Sequence, residues 1–192
     1  LAEELNAFLT NITETEQSRE TYSIEDIISN GETEYTEFKQ TFRYNVFKAE
    51  YDKSREDDII KCIAAFGNSE TGGDLFIGVS DDGEVLGLDD DYQNLRKNGP
   101  VDKDGFELLL RECISAAFGE VFTATKVDIS FPKIEGKEIC LVGVRPVSTA
   151  KDILIVKKNR NGQEQQLIYL RSGNSSRTIP TEEYSSFLET RF

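Results

Sequence analysis

A helix, a glycine-rich turn and a buried strand follow one another directly in this chain, and this succession constrains its fold most. Apolar residues recur at helical spacing between Ser54, the predicted N-terminal cap, and Gly67, the predicted end of the helix. After the turn, the apolar run 74–79 is typical of a buried strand. A helix that turns back into a buried strand predicts a sheet with at least one helix packed on it.

The rest of the pattern extends this unit into an α+β fold with a mixed β-sheet and packed helices. Further strands are predicted over 34–41, 84–88, 127–131, 139–144, 152–157 and 166–171, and helices over 2–12, 23–31, 104–118 and from 181 to the end. Polar linkers are predicted over 13–22 and 42–54. We therefore expect an N-terminal helical appendage and linker over 1–30 and a main domain over 31–192.

The absence of histidine excludes several kinds of active site. Serine–histidine and cysteine–histidine catalysis and histidine-ligated zinc all need this residue, and the chain has none. The three cysteines lie in apolar runs, which predicts buried, reduced thiols in a cytoplasmic protein. No apolar run is long enough for a membrane span. The chain starts at Leu1 and has no Met, so we expect it to follow an N-terminal region of a longer protein.

Charge is distributed unevenly along the chain. The net charge is −14, which by itself argues against binding to nucleic acid. The first 100 residues have 9 basic and 23 acidic side chains, whereas residues 126–177 have 10 basic and 5 acidic ones. A phosphate-binding surface in the second half is therefore compatible with the composition.

The first candidate motif is Glu37-Phe38-Lys39 on the predicted strand. Side chains alternate along a strand, so Glu37 and Lys39 should project from one face while Phe38 enters the core. A carboxylate beside an ammonium can hold a divalent metal and orient its water, as in many nucleases. The alternative is an ordinary solvated strand edge.

Two further motifs contain glycine-rich turns. Gly67 and Gly72 have the spacing of a phosphate loop, but Gly73-Asp74 replaces the lysine and hydroxyl of that loop, and the order helix–loop–strand is reversed. We therefore expect no ATPase activity. The second motif, from Arg171 to Arg177, encloses Gly-Asn-Ser-Ser, which could bind a phosphate or simply connect a strand to the last helix.

The order of these motifs resembles that of the AlbA-like (AlbA_2) domain of the Schlafen family. The resemblance covers 31–192 and rests on G-E-x(4)-E-F-K, then A-A-F-x-N-x-x-x-G-G-x-L-x-I-G-V-x-D-D-G-x-V-x-G-L, then Y-x-R-x-G-x-S-S-R. It implies a nucleic-acid-binding domain and, by similarity to some animal members, a metal-dependent ribonuclease. In that case Glu32, Glu37 and Asp81 would hold Mg²⁺ or Mn²⁺, with Lys39 beside the attacking water.

Basic residues beyond these motifs are candidates for contact with RNA or DNA. The predicted nucleic-acid-binding residues are Arg43, Lys48, Lys157, Lys158, Arg171 and Arg177. Two other hypotheses remain open: a non-catalytic module that recruits a larger protein to DNA or RNA, and a protein-interaction domain. The assembly state is open as well, a homo-oligomer included.

Overall fold

The computed structural model of the protein describes residues 23–95, 102–160 and 163–192, with the backbone alone at 159 and 160. The helix predicted over 2–12 and the linker over 13–22 lie outside the described residues. The chain divides into two compact units, Leu1–Asn30 and Gly31–Phe192. In the described part of the chain, no helix has the length and apolar character that crossing a membrane requires.

Helix α1 (Ile24–Asn30) belongs to the first unit and begins as its sequence predicts. Ser23 Oγ accepts a hydrogen bond from Asp26 N, and Asp26 Oδ2 accepts one from Ser23 N. This reciprocal pair supplies acceptors for backbone N–H groups that a helix start leaves without partners.

The second unit contains a mixed four-stranded sheet with the strand order β1–β4–β8–β5. Its strands are β1 (Thr36–Lys39), β4 (Gly73–Ile77), β5 (Val127–Ser130) and β8 (Cys140–Val144). Strands β1 and β4 are parallel and the other pairs are antiparallel. The predicted mixed sheet is therefore confirmed. The predicted strand over 84–88 was wrong, since its pairing amounts to a single bridge between Val85 and Val79.

A second, antiparallel sheet has the order β9–β10–β11 and comprises β9 (Ile155–Arg160), β10 (Gln163–Ser172) and β11 (Ser175–Thr178). Strand β11 replaces the loop predicted from Arg171 to Arg177. Ser172 pairs with Ser175, so Gly173 and Asn174 form a two-residue hairpin turn.

Two short hairpins lie outside these sheets. Strand β2 (Tyr44–Asn45) pairs with β3 (Glu50–Tyr51) within the predicted loop 42–54, and β6 (Lys133–Ile134) pairs with β7 (Lys137–Glu138).

Helix α2 (Lys53–Asn68) contacts both sheets and supplies much of the main hydrophobic core. Its cap is Asp52, whose carboxylate accepts from Ser54 N, so the prediction that Ser54 caps the helix was wrong by two residues. Gly67 does not end the helix. Gly67 is instead the second-last residue of the helix. A glycine is needed there because a Cβ would be 2.4 Å from Leu154 Cδ1.

Asn68, the last residue of α2, fastens the helix to the second sheet. Its fully buried side chain donates to Leu154 O and Tyr169 O and accepts from Leu154 N. The following turn runs through Gly72, whose φ of 79° and close contact with Val144 O exclude a side chain. Gly73 lacks a side chain for a similar reason, because a Cβ there would be 2.3 Å from the Phe66 ring. The glycine pair therefore allows strand β4 to pack closely against helix α2 and its preceding turn against strand β8.

The remaining helices are α3 (Asp89–Asn94), α4 (Lys103–Phe118), α5 (Glu120–Lys126) and α6 (Tyr184–Arg191), with single 3-10 turns at Ala150–Asp152 and Thr181–Glu183. Helix α4 begins after Asp102, which accepts from Gly105 N, and ends at Gly119 as predicted. Gly119 also starts α5, a helix absent from the sequence prediction. The β-branched residues of α5 hide its helical pattern.

Candidate functional site

Glu37 lies at the centre of a buried group of charges on strand β1. Its Oε1 accepts from Lys39 Nζ at 2.5 Å and its Oε2 accepts from Arg171 Nη1 at 2.5 Å. The prediction that Glu37 and Lys39 share a face is therefore confirmed. This face is not solvated, however, because Glu37 pairs in register with Leu75 of the main core and its side chain is only 11% exposed.

Arg171 closes this group from strand β10. Its side chain is 4% exposed, and its guanidinium also donates to Thr33 O, Glu34 O and Ser176 Oγ. The guanidinium carbon lies 4.7 Å from the centre of the Phe66 ring. Arg171 therefore connects the second sheet to strand β1 and to helix α2, and its donors point into the protein.

Two neighbours of Glu37 are electrostatically coupled to it. Burial lowers the pKa of Lys39, but the hydrogen bond from its ammonium to Glu37 and the charges of Glu37 and Glu32 raise it, and the pKa lies above its usual value. Burial and the Glu37 carboxylate raise the pKa of Cys62 to about 12, so its thiol stays protonated at neutral pH. We call Glu37, Lys39 and Arg171 the Glu37 cluster.

Glu32 turns back towards strand β1 from the preceding loop, as the left-handed backbone of Gly31 permits. Its Oε1 accepts from Phe38 N at 2.9 Å. Burial raises the pKa of the Glu32 carboxyl. The hydrogen bond from Phe38 N opposes this rise, and the charges of Glu37 and Asp81 add to it. Glu32 is therefore close enough to both other predicted acids to be affected by their charges.

Asp81 lies in the exposed turn after strand β4. Ser80 N donates to Glu84 O and Gly83 N donates to Ser80 O, so the turn holds Asp81 at the end of β4 where it was predicted. The backbone N–H groups of Gly78 and Val79 donate to Lys39 O and bring this end of β4 beside β1.

The three predicted acids do not fit a metal site as they are arranged. Among residues 23–95, 102–160 and 163–192, no three Cys, Asp or Glu side chains form a group that could hold a metal ion. Both oxygens of Glu37 already accept charge-assisted hydrogen bonds from cations, and one oxygen of Glu32 accepts from the backbone. A divalent ion would have to displace these donors from Glu37.

A second place of interest is a cleft of about 480 Å³ between helix α2 and strand β9. Its rim carries three lysines, Lys53, Lys157 and Lys158, and we call it the lysine cleft. Lys53 and Lys157 are 65% and 64% exposed, and they pair with Asp57 at 3.1 Å and Glu164 at 3.5 Å. Exposed pairs of this kind contribute little to stability and exchange easily with other ions.

Lys158 has a like charge beside it. Burial and then the Lys61 ammonium lower the pKa of Lys158, since a charge on Lys61 disfavours a second one beside it. Lys61 is itself paired with Asp58. An anion placed at this pair would relieve the repulsion.

The other predicted basic residues lie in different surroundings. Arg43 forms a salt bridge with Glu56, and its guanidinium carbon lies 4.8 Å from the centre of the Tyr51 ring. Its charge is therefore balanced at the base of the β2–β3 hairpin. Lys48 is exposed at the tip of that hairpin, and Arg177 is exposed on strand β11.

Lys61 lies beside Lys158 but was not singled out from the sequence. It is on the predicted helix, whereas Lys53 falls in the predicted loop 42–54 and is the first residue of the observed helix, where it pairs with Asp57 four positions on. Only the packing of strand β9 beside α2 brings them to Lys157 and Lys158. No signal in the sequence indicates that pairing.

Comparison with known proteins identifies a family and several distantly similar solved structures. A family model described as Schlafen, AlbA_2 matches residues 32–180. The DIP2311 protein from Corynebacterium diphtheriae is 18% identical in sequence, with a TM-score of 0.47, over 82% of this chain and 24% of that one. The chain thus spans about a quarter of that protein's length. A search of curated proteins gives no match.

Proposed function

The chain belongs to the Schlafen AlbA_2 family, and on that premise we propose that its domain over 31–192 binds nucleic acid, with the phosphate backbone in the lysine cleft. One observation carries the proposal: a chain with a net charge of −14 holds three lysines at the rim of one cleft, and a fourth, Lys61, beside Lys158. The acids that balance Lys53, Lys61 and Lys157 include the exposed Asp57, Asp58 and Glu164, so a phosphate can take their place.

The surroundings of these lysines suit a polyanion better than a buried small anion. The cleft is open to solvent along the helix, and the Lys53 and Lys157 side chains reach out of it. Two acids line the cleft: Glu56 is paired with Arg43 and accepts a hydrogen bond from the Tyr51 hydroxyl, and Asp57 is paired with Lys53. Point charges on flexible stems bind phosphates with little sequence information, which is typical of contacts to the backbone of RNA or single-stranded DNA.

Metal-dependent cleavage by Glu32, Glu37 and Asp81 is a second candidate function. It is favoured by the proximity of these acids, because the charges of Glu37 and Asp81 both raise the pKa of Glu32. Against it, Lys39 and Arg171 occupy both oxygens of Glu37. The arrangement therefore supports a non-catalytic binding or recruiting module better than a nuclease that depends on Mg²⁺ or Mn²⁺.

The binding proposal is tested by reversing charge in the cleft. Lys157→Glu with Lys158→Glu should weaken binding of single-stranded RNA at least tenfold, because each change removes an attraction to phosphate and adds a repulsion. Lys103→Glu with Lys133→Glu is the matched control, since both lysines are exposed and neither lines the cleft. Equal losses in the two variants would show general repulsion and contradict a phosphate site in the cleft.

Cleavage is tested separately with transfer RNA and Mn²⁺. We expect binding without cleavage, in Mn²⁺ and in chelator alike. Cleavage that is lost in both Glu37→Gln and Asp81→Asn would establish the second candidate and overturn the non-catalytic reading, while binding in the lysine cleft would stand or fall on the charge-reversal test.

A further inference from the structure

The β2–β3 hairpin presents an aromatic residue to solvent at its tip. Phe47 is 84% exposed, and its neighbours Val46 and Tyr51 are 36% and 49% exposed. A phenylalanine this exposed at the end of a short hairpin contributes nothing to the core, and exposed aromatic side chains often mark binding sites. Its position therefore suggests contact with a ligand.

The hairpin is held firmly at its root. Asp91, which is 1% exposed on helix α3, accepts from the backbone N–H groups of Phe42, Arg43 and Tyr44 at 2.7, 3.0 and 3.3 Å. On the other strand, the Tyr51 hydroxyl donates to Glu56 Oε1 at 2.8 Å. These contacts fix both strands of the hairpin to helices α2 and α3.

The tip is shaped by Asn45. Its Oδ1 accepts from Phe47 N at 3.1 Å and from Lys48 N at 3.2 Å, and its amide nitrogen donates to Asp52 Oδ2 at 2.9 Å. A backbone held in place before binding loses less conformational entropy when its side chain meets a ligand. Phe47 is thus presented on a preorganised loop.

The hairpin adjoins the lysine cleft. Glu56 lines the cleft and is also the residue that binds Arg43 and Tyr51 of the hairpin, and Lys53 follows β3 by two residues. Residues 43–55 contain four basic and two acidic side chains in a chain that is otherwise strongly acidic. A strand whose phosphates lie in the cleft therefore lies next to a hairpin with an exposed lysine, Lys48, and an exposed aromatic ring at its tip.

We infer that Phe47 is a stacking platform for an unpaired base of the bound strand, an inference that rests on the proposed function. Stacking suits this residue because every base has a flat face, and because Lys48 beside the ring can contact the adjoining phosphate. Paired bases of a duplex expose only their edges, so the preferred ligand is a single strand or an RNA loop.

The test compares two strands of equal length, oligothymidylate and an abasic strand of deoxyribose phosphates. The wild-type chain should bind oligothymidylate about tenfold more tightly, the range expected for stacking on an aromatic side chain. Phe47→Ala should lose this preference and bind both strands as the wild type binds the abasic one, while Phe47→Tyr should keep it. The melting temperature of Phe47→Ala should be unchanged, because the ring is exposed.

The chain has no tryptophan, so Phe47→Trp gives a single fluorescent reporter at the tip. Its emission should be quenched by oligothymidylate and much less by the abasic strand. Leu108→Trp, at an exposed position of helix α4, is the matched control and should respond to neither strand.

Two results would overturn the inference while leaving the proposed function intact. One is a Phe47→Ala variant that keeps the preference for oligothymidylate, and the other is a fluorescence change in Phe47→Trp equal to that of the control. Failure of the wild-type chain to bind either strand overturns the proposed function itself.

Discussion

The Glu37 cluster and the lysine cleft both hold cations close together, but they differ in how those charges are balanced. In the cluster, Lys39 and Arg171 meet one carboxylate at 2.5 Å and are 21% and 4% exposed. In the cleft, Lys53 and Lys157 are about two thirds exposed and have longer contacts. Lys53 lies 3.1 Å from Asp57 and 3.5 Å from Glu56, and Lys157 lies 3.5 Å from Glu164. We expect the first arrangement to stabilise the fold and the second to exchange its acids for the phosphates of a ligand. The motif that most resembles an active site is thus the one whose charges are balanced internally.

Replacing Arg171 should have the largest effect on stability. Arg171→Met removes the hydrogen bonds to Glu37 and to four backbone or hydroxyl oxygens and leaves a buried carboxylate with one partner. Breaking a buried pair in this way costs about 3–5 kcal/mol of unfolding free energy. Urea unfolding of Arg171→Met measures it. Arg177→Met, on an exposed position of the next strand, is the control and should change stability by about 0.5 kcal/mol or less.

The double variant Arg171→Met with Glu37→Gln sharpens this result. It removes the carboxylate together with its cation, so no buried charge is left without a partner, and part of the lost stability should return. A loss in Arg171→Met no larger than that in Arg177→Met would show that the cluster is not a structural tie.

Asp91 provides a pH-dependent comparison with these ion pairs, since its partners are backbone N–H groups rather than cations. Burial raises the pKa of Asp91 to about 6, although hydrogen bonds from three backbone amides oppose the rise. The folded protein therefore binds the proton of the Asp91 carboxyl more tightly than the unfolded chain does. The stability that this bound proton contributes is fully present below about pH 4. That contribution, about 3 kcal/mol, should be lost as the pH rises through 6.

The difference in unfolding free energy between the wild type and Asp91→Asn, measured from about pH 4 to neutral pH, isolates this effect. It should fall as the pH rises, because only the wild type loses the bound proton. Asp90→Asn, one residue earlier and exposed, should give a difference that does not change with pH in this way. A flat difference for Asp91→Asn would contradict the raised pKa.

The smallest effect is expected at Glu32. Burial raises the pKa of Glu32, so its charge is disfavoured in the folded state, while its amide equivalent could still accept from Phe38 N. Glu32→Gln should therefore stabilise the fold slightly at neutral pH, by about 0.5 kcal/mol or less. Thermal unfolding of Glu32→Gln beside Glu37→Gln checks this. A clear loss in both would mean that Glu32 and Glu37 play the same structural role.

Much of the fold could be predicted because it is encoded locally. The periodic apolar positions of α2 and α4 and the apolar runs of β4 and β8 identify these elements directly. The hairpin β2–β3 was missed because its strands are only two residues long. Its conformation also depends on hydrogen bonds to Asp91, which is 47 residues beyond Tyr44 in sequence. Contacts of this separation leave no periodic signal.

The candidate site was predictable only in part for the same reason. The face shared by Glu37 and Lys39 follows from the alternation of side chains along a strand, and the return of Glu32 follows from Gly31. The contact between Arg171 and Glu37 joins residues 134 positions apart, and it depends on how two sheets pack. That contact decides whether the carboxylate is free for a metal.

The central claim is that the lysine cleft binds phosphates while the Glu37 cluster does not. The most direct test is the slope of binding affinity against salt concentration for single-stranded RNA. Each phosphate contact to a single strand adds about 0.7 to the slope on logarithmic axes. Neutralising two cleft lysines, in Lys157→Gln with Lys158→Gln, should therefore reduce the slope by about 1.4 relative to the wild type, whereas Lys39→Gln should leave it unchanged. The opposite pattern, a reduced slope in Lys39→Gln and none in the cleft variant, would contradict the claim.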